Sequence, residues 1–296
     1  MIDPEEIKIA IASGKGGTGK TLIATNLFYS LYTNGNSTTL IDCDAEEPNA
    51  KIFFNGELNK TIPVTQKVPF IDVDRCTFCG KCHEYCSYNA IFILPPVKII
   101  QVMEDLCHGC GACLIACKEG AITEKDVLLG NVNSYRINPL ARLVEGRTGI
   151  GIFSPVPVIK AALKEGRTDQ ITIMDAPPGT SCPFIQTVVS ADYVILVTEP
   201  TPFGLSDLKQ SVETLRIMNK TFGVIINRSG IGNLDVYNYL RDENIDLLLE
   251  IPYDRMIASL YSSGILIAQK TISWQEQLLA MMNTIKAYHA SSCYQR

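Results

Sequence analysis

The stretch Ser13-Gly14-Lys15-Gly16-Gly17-Thr18-Gly19-Lys20-Thr21 limits the possible folds more than any other part of the chain. It follows an apolar run, Ile7–Ala12, and leads into residues whose apolar members, Ile23, Leu27 and Leu31, recur at the four-residue spacing of one helix face. Gly14, Gly19, Lys20 and Thr21 fit the pattern G-x-x-x-x-G-K-[ST] in the strand–loop–helix setting that gives it meaning. Glycines let backbone N–H groups converge on phosphate oxygens, and the helix N-terminus adds partial positive charge. Lys20 can then reach β- and γ-phosphates, and Thr21 can ligate Mg²⁺. A loop of this kind needs a buried strand on one side and a helix on the other, which calls for an α/β sheet.

The rest of the chain supplies one. Thr38–Ile41, Gly149–Phe153, Gln170–Met174, Tyr193–Val197, Phe222–Ile226 and Leu247–Leu249 are short apolar runs that read as buried parallel strands. Helical spacing lies between them, as in Leu205, Leu208, Val212 and Leu215, and Trp274, Leu278, Met282, Ile285 and Tyr288 continue it near the C-terminus. The expected fold is a doubly wound, mostly parallel α/β sheet of the P-loop NTPase class. The rhythm fails between about Thr65 and Asp126, where cysteines, glycines and Pro95-Pro96 take over. A structureless loop of that length would be unusual inside a compact domain. We therefore expect a small α+β, ferredoxin-like domain at 65–126, between two parts of the P-loop domain at 1–64 and 127–296.

Cys76, Cys79, Cys82 and Cys86 follow the spacing C-x2-C-x2-C-x3-C, and Cys107, Cys110, Cys113 and Cys117 repeat it. This is the spacing of bacterial two-cluster ferredoxins, in which the fourth cysteine of each run ligates the other cluster. It assigns Cys76, Cys79, Cys82 and Cys117 to one [4Fe–4S] cluster, and Cys107, Cys110, Cys113 and Cys86 to the second. Structural zinc fits less well, since zinc sites use single sets of four ligands without an interleaved repeat. Ser87 and Lys118 replace the proline often found after the fourth cysteine, and His83 and His108 read as surface residues within the cluster loops. Outside the repeat, Cys43 reads as packing and Cys293 has no identified partner.

A formal net charge of −5, without a long basic run, gives no diffuse attraction for nucleic acid or anionic lipid. No apolar stretch approaches the roughly 20 residues needed to span a bilayer, and Met1–Glu6 is acidic where a secretory signal is basic. These features predict a cytoplasmic protein without stable membrane anchoring.

With Lys15 added to the loop, Lys-Gly-Gly-Thr-Gly-Lys-Thr resembles the deviant Walker A family of Mrp-like, MinD-like and ParA-like ATPases and the nitrogenase iron protein. The resemblance implies bound ATP or ADP with Mg²⁺ and slow hydrolysis without a partner. It also implies a nucleotide-sandwich dimer, either homodimer or heterodimer with a related ATPase, in which Lys15 reaches the partner's phosphates. Leu40-Ile41-Asp42-Cys43-Asp44 resembles switch I, which gives Asp44 the attacking water. Asp175-Ala176-Pro177-Pro178-Gly179-Thr180 resembles Walker B joined to switch II, placing Asp175 near Mg²⁺ and Gly179 near the γ-phosphate. Asn227, before Arg228, matches an asparagine that reads adenine in relatives. Cys182 falls seven residues after Asp175, where the nitrogenase iron protein has a bridging-cluster ligand, but no cysteine lies between Cys117 and Cys182 to supply the second.

The combination resembles MinD-superfamily ATPases with an inserted ferredoxin domain. The reading it favours is an ATPase whose dimer and switch state is coupled to electron transfer, through two [4Fe–4S] clusters, to an unidentified redox partner protein. An alternative is a cluster carrier like the Mrp-like branch, although the C-terminal Cys-x-x-Cys of those carriers has no counterpart here. A positioning ATPase of the MinD or ParA kind, with a redox-sensing insert, would call for a basic amphipathic tail or a basic face, and neither is evident. A cobyrinic acid a,c-diamide synthase-like amidoligase would carry a glutaminase domain, for which 296 residues leave no room.

Overall fold

The structure, a computed structural model, describes residues 6–166 and 170–293, apart from the side chains of residues 292 and 293. Met1–Glu5 of the acidic N-terminus and the Cys293 side chain lie outside the described residues. In chain order the elements are β1 (Ile7–Ala12), α1 (Lys20–Thr33), β2 (Thr38–Asp42), β3 (Glu57–Ile71), α2 (Lys81–Glu84), β4 (Ile91–Leu94), β5 (Ile99–Val102), α3 (Ala112–Ala116), β6 (Ile122–Asn138) and β7 (Ala141–Thr148). They continue as α4 (Val156–Glu165), β8 (Ile171–Asp175), α5 (Cys182–Val189), β9 (Tyr193–Thr198), α6 (Pro202–Ile217), β10 (Phe222–Ser229), α7 (Asp235–Asp242), β11 (Leu247–Pro252), α8 (Arg255–Ser262) and α9 (Ile272–Cys293).

One nine-stranded sheet runs in the order β11-β10-β9-β1-β8-β2-β7-β6-β3. The strands from β11 to β7 pair in parallel, and β6 and β3 extend the sheet antiparallel at one edge. Side chains alternate across a strand, so one apolar run serves two cores. Ile7, Ile9 and Ile11 of β1 face a layer built by Leu27 and Phe28 of α1 and by Leu278, Met282 and Ile285 of α9. Ala10 and Ala12 face the opposite layer, with Ile159 of α4, Phe184 of α5, Leu208 and Val212 of α6 and Leu240 of α7. The helical stripe near the C-terminus is thus part of this chain's own core.

Beyond the sheet edge, β3 and β6 continue as a ribbon paired from Glu57↔Arg136 to Ile71↔Ile122. Its far end carries α2, α3 and the β4–β5 hairpin around a small cluster of Cys82, Ile91, Cys113 and Ile122. Thr65 and Asp126, expected as boundaries, lie within the two ribbon strands.

One expected strand is corrected. Gly149–Phe153 forms turns, and the strand beside β2 is β7, which ends at Thr148. Gly151 has φ +81°, a left-handed conformation that suits glycine and breaks a strand, and the apolar side chains of Ile150 and Phe153 point outward.

Candidate functional site

The loop of residues 13–19 lies at the carboxyl end of β1, the edge where open α/β sheets bind ligands. Its glycines answer to specific neighbours. A Cβ on Gly14 would stand 2.5 Å from the carbonyl oxygen of Asp207, so the loop lies directly on α6. Gly19 has φ +102° and abuts the side-chain amide of Asn227. That amide donates from Nδ2 to the carbonyl of Thr18 (2.7 Å), while its Oδ1 accepts from the Arg228 N–H (2.9 Å). Asn227 therefore clamps the loop, and one N–H and one lone pair remain for a ligand.

Four charged groups meet behind the loop. Asp42 and Asp175 sit on adjacent strands in register. Thr21 Oγ1 donates to Asp175 Oδ2 (2.6 Å), and Asp175 Oδ1 is buried with no hydrogen-bond partner. Burial pushes the Asp175 carboxyl up to about 7, against the hydrogen bond from Thr21 and the Lys20 charge. Lys20 is buried, and desolvation lowers its pKa while Asp175 and Asp44 oppose that shift. Asp42 accepts from the N–H groups of Asp44 (3.1 Å), Asn49 (2.9 Å) and Ala50 (2.9 Å), and so organises the loop after β2. Asp44 keeps its side chain at the cleft, its pKa raised by burial against the pull of Lys20. The Gly179 N–H donates to the Ser13 carbonyl (3.1 Å), tying the Pro177-Pro178-Gly179 segment to the start of the loop.

These groups open into a cleft of about 390 Å³, within the range of small-molecule sites. Gly16, Gly17, Gly19, Lys20, Thr21 and Asp44 form one side. The opposite wall, Pro252, Tyr253, Asp254, Ile257, Ala258 and Tyr261, was missed in the sequence. The available signal was local: a proline ending β11, followed by Asp254, whose carboxylate caps α8 through the Met256 N–H (2.7 Å). Lys15 stands apart from this cluster. It is exposed and holds its ammonium 5.8 Å from the centroid of the exposed Phe203 ring, on the α6 side of the loop.

The cysteines form two groups. Cys76, Cys79, Cys82 and Cys117 line one pocket, with Ile71, Ile93, Ile100 and Ile122 around them. Cys86, Cys107, Cys110 and Cys113 line a second, with Lys67, Pro69 and Glu124 of the ribbon. Each pocket thus takes three cysteines from one run and the fourth from the other. In each run the third cysteine is buried (Cys82, Cys113) and the second exposed (Cys79, Cys110). Burial raises the Cys82 and Cys107 thiols and pushes Cys113 up to about 11. Among the described residues, no three His, Cys, Asp or Glu side chains are grouped to hold a single metal ion.

The second pocket lies back along the ribbon: the Gln66 side chain donates from Nε2 to the Cys107 carbonyl (2.6 Å), and Cys107 shares a small cavity with Ile152, Phe153 and Pro157. The imidazole of His83 bonds through Nδ1 to the Ile91 carbonyl (2.6 Å), and His108 stacks on Tyr88 with ring centroids 3.8 Å apart. Cys43 is buried in the main core, and Cys182 is exposed at the start of α5.

Residues 9–267 match the family described as the CobQ/CobB/MinD/ParA nucleotide binding domain. An uncharacterized protein of Methanocaldococcus jannaschii is 33% identical over 267 residues, covering 88% of this chain and 91% of its own. A cytosolic Fe-S cluster assembly factor NUBP2 homolog of Nematostella vectensis is 43% identical over 235 residues, covering 75% of this chain and 66% of its own. Among solved structures, the septum site-determining protein MinD complexed with Mg-ADP, from Pyrococcus horikoshii, has the same fold, with a TM-score of 0.57 and 18% identity over 95% of this chain and 96% of its own. Among the described residues, no helix is long and apolar enough to cross a membrane.

Proposed function

The chain belongs to the CobQ/CobB/MinD/ParA nucleotide binding family, as an ATP-binding ATPase of the MinD/ParA type, and from that premise we propose that it couples its nucleotide state to electron transfer through two [4Fe–4S] clusters. The observation that carries this reading is the sorting of eight cysteines into two pockets of four, each completed by the fourth cysteine of the other run. A crossed arrangement is what a two-cluster ferredoxin fold needs, and a set of unrelated buried thiols has no reason to adopt it.

The donor sets fit the groups they would hold. Thr21 and Asp175 would hold Mg²⁺, and the unpartnered, buried Oδ1 of Asp175 favours a cation beside it. The eight cysteines would hold the clusters, once iron displaces the protons that burial keeps on Cys82, Cys107 and Cys113. When bound, magnesium neutralises phosphate charge and the clusters supply one-electron carriers.

The protein's own groups do the rest. Backbone N–H groups of residues 14–19 cradle the phosphates, and Lys20, desolvated before the ligand arrives, needs little reorganisation to meet their charge. Asp44, held at the cleft by the loop that Asp42 organises, orients the water that attacks the γ-phosphate. Lys15, turned away from its own cleft, would complete the site of a second subunit in a homodimer or a heterodimer with a related ATPase.

A contact chain supports coupling. After Asp44, the Ala45 carbonyl accepts from the Thr148 N–H (2.8 Å), the next residue's N–H donates to Leu129 on the ribbon (2.8 Å), and residues 152–153 border Cys107. A nucleotide-driven shift at Asp44 thus has a continuous path to the second cysteine pocket.

The likeness to a named Fe-S cluster assembly factor favours a second reading, delivery of clusters to other proteins. One experiment separates the two: anaerobic redox titration followed by electron paramagnetic resonance, with and without Mg·ATP, after iron counting. A nucleotide-dependent potential with iron retained supports coupling. Loss of iron to an apo-acceptor supports delivery.

A further inference from the structure

The residue that follows the Asn227 clamp is held in a backbone conformation it does not favour. Arg228 has φ +55°, in the left-handed region where a residue with a Cβ is strained and glycine is not. Its own N–H donates to Asn227 Oδ1 (2.9 Å), and its guanidinium pairs through Nη1 with Glu199 Oε1 (2.7 Å), just past the end of β9. Glu199 is a firm anchor: its side chain is only 14% exposed, and the carbonyl of the next residue, Pro200, accepts from the Asn233 N–H (3.3 Å). The other arm of the guanidinium, Nη2, reaches the Gly17 carbonyl at 3.5 Å. Asn227 and Arg228 thus take two successive carbonyls of the phosphate loop, those of Thr18 and Gly17. A trans peptide is planar, with its C=O and N–H pointing opposite ways, and none of the described peptides is cis. Drawing those two carbonyls toward the end of β10 therefore turns the N–H groups of Thr18 and Gly19 away from it.

We propose that Arg228 is a positioning residue for the phosphate loop: anchored on Glu199, its fork holds the Gly17 carbonyl outward and so presets the Thr18 N–H for a phosphate oxygen. The inference rests on the reading of this loop as a nucleotide phosphate site. An exposed ion pair contributes little to stability by itself, and glycine would adopt the same backbone without strain. A strained arginine here therefore points to a role for its side chain. A planar guanidinium spans two acceptors in a fixed geometry, which the ammonium of lysine does not reproduce.

The test measures ADP and adenosine affinity for the full chain and for Arg228→Gly, which removes the guanidinium while relieving the strain. That relief offsets the added freedom of the unfolded chain, so the melting temperature should stay near the parent's. Loss of one hydrogen bond should weaken ADP binding by about 2- to 10-fold, with adenosine, which has no phosphate, bound as before. Arg228→Lys, which keeps the charge without the fork, should show a loss of the same kind. Glu199→Gln should weaken ADP binding in the parent and add nothing in the Arg228→Gly background, because Glu199 acts through the guanidinium. Unchanged ADP affinity in Arg228→Gly would overturn the inference, as would an equal loss for ADP and adenosine, full ADP affinity in Arg228→Lys, or additivity with Glu199→Gln. If the parent binds ADP no more tightly than adenosine, the reading of the loop itself falls and takes the inference with it.

Discussion

The proposed crossed ligation gives a test in which pairs of serine substitutions have opposite outcomes. Cys117 shares a pocket with Cys79, although the two belong to different sequence runs, and it shares its run with Cys110, which lines the other pocket. On the proposed reading, a fully loaded chain would hold about eight irons, four per cluster. Cys117→Ser alone should leave about four. Adding Cys79→Ser removes a second thiolate from the same pocket, so the count should stay near four. Adding Cys110→Ser instead damages both pockets and should bring the count toward zero. Iron and sulfide analysis after anaerobic reconstitution reads the number, and the low-temperature paramagnetic spectrum of the reduced protein shows which cluster survives. The geometry is refuted if the pairs behave the other way round, with the Cys117/Cys110 variant keeping one cluster and the Cys117/Cys79 variant losing both. That result would mean each run holds its own cluster.

Three further outcomes follow from the phosphate-binding loop and the residues around it. Asn227→Ala leaves the Thr18 carbonyl and the Arg228 N–H without their shared partner at a site only 5% exposed. Urea denaturation should show a loss of roughly 1–3 kcal/mol, and an unchanged midpoint and slope would contradict the clamp. Asp175 is raised to about 7 in the nucleotide-free protein, so between an unfolded value of about 3.9 and that point the folded state binds the extra proton, and stability falls as pH rises. Binding of Mg·ADP near pH 6.5 should therefore expel a proton, seen by calorimetry in buffers of different ionisation enthalpy and absent in Asp175→Asn. Lys15→Ala should slow ATP turnover with ADP affinity in the single subunit unchanged; undiminished turnover would sink the cross-subunit role.

The parallel part of the fold was legible because its strands are buried on both faces and are written as Ile- and Val-rich runs. Ile7–Ala12 and Tyr193–Val197 announce themselves in this way. The ribbon did not, because most of β3 is exposed: Lys60, Gln66 and Lys67 interrupt its apolar residues, and Pro63 and Pro69 suit an edge strand. A strand that gains its order from pairing with β6, more than from burial, leaves little periodic trace. Gly149–Phe153 misled for the opposite reason, since its Ile150 and Phe153 are exposed and Gly151 makes a turn. In the cleft, the residues on the loop and at the ends of β2 and β8 could be found because phosphate chemistry demands those residue types in that order. Tyr253 and Tyr261 follow no such rule. They reach the cleft only through the tertiary placement of β11 and α8, a long-range arrangement without a local sequence signature.

The ribbon has a mechanical meaning as well. A small domain joined by two slack linkers would tumble, and its orientation would carry no information about the nucleotide. Here both connections are strands of the main sheet, paired to each other without a register shift from Thr65↔Leu128 to Ile71↔Ile122. From Thr65 to Ile71 the ribbon projects about 20 Å at strand rise, stiff against bending and compliant mainly in twist. The nearer cysteine pocket is seated at the root of this arm and the farther one at its tip. A few degrees of rotation in the sheet edge would be magnified at the tip.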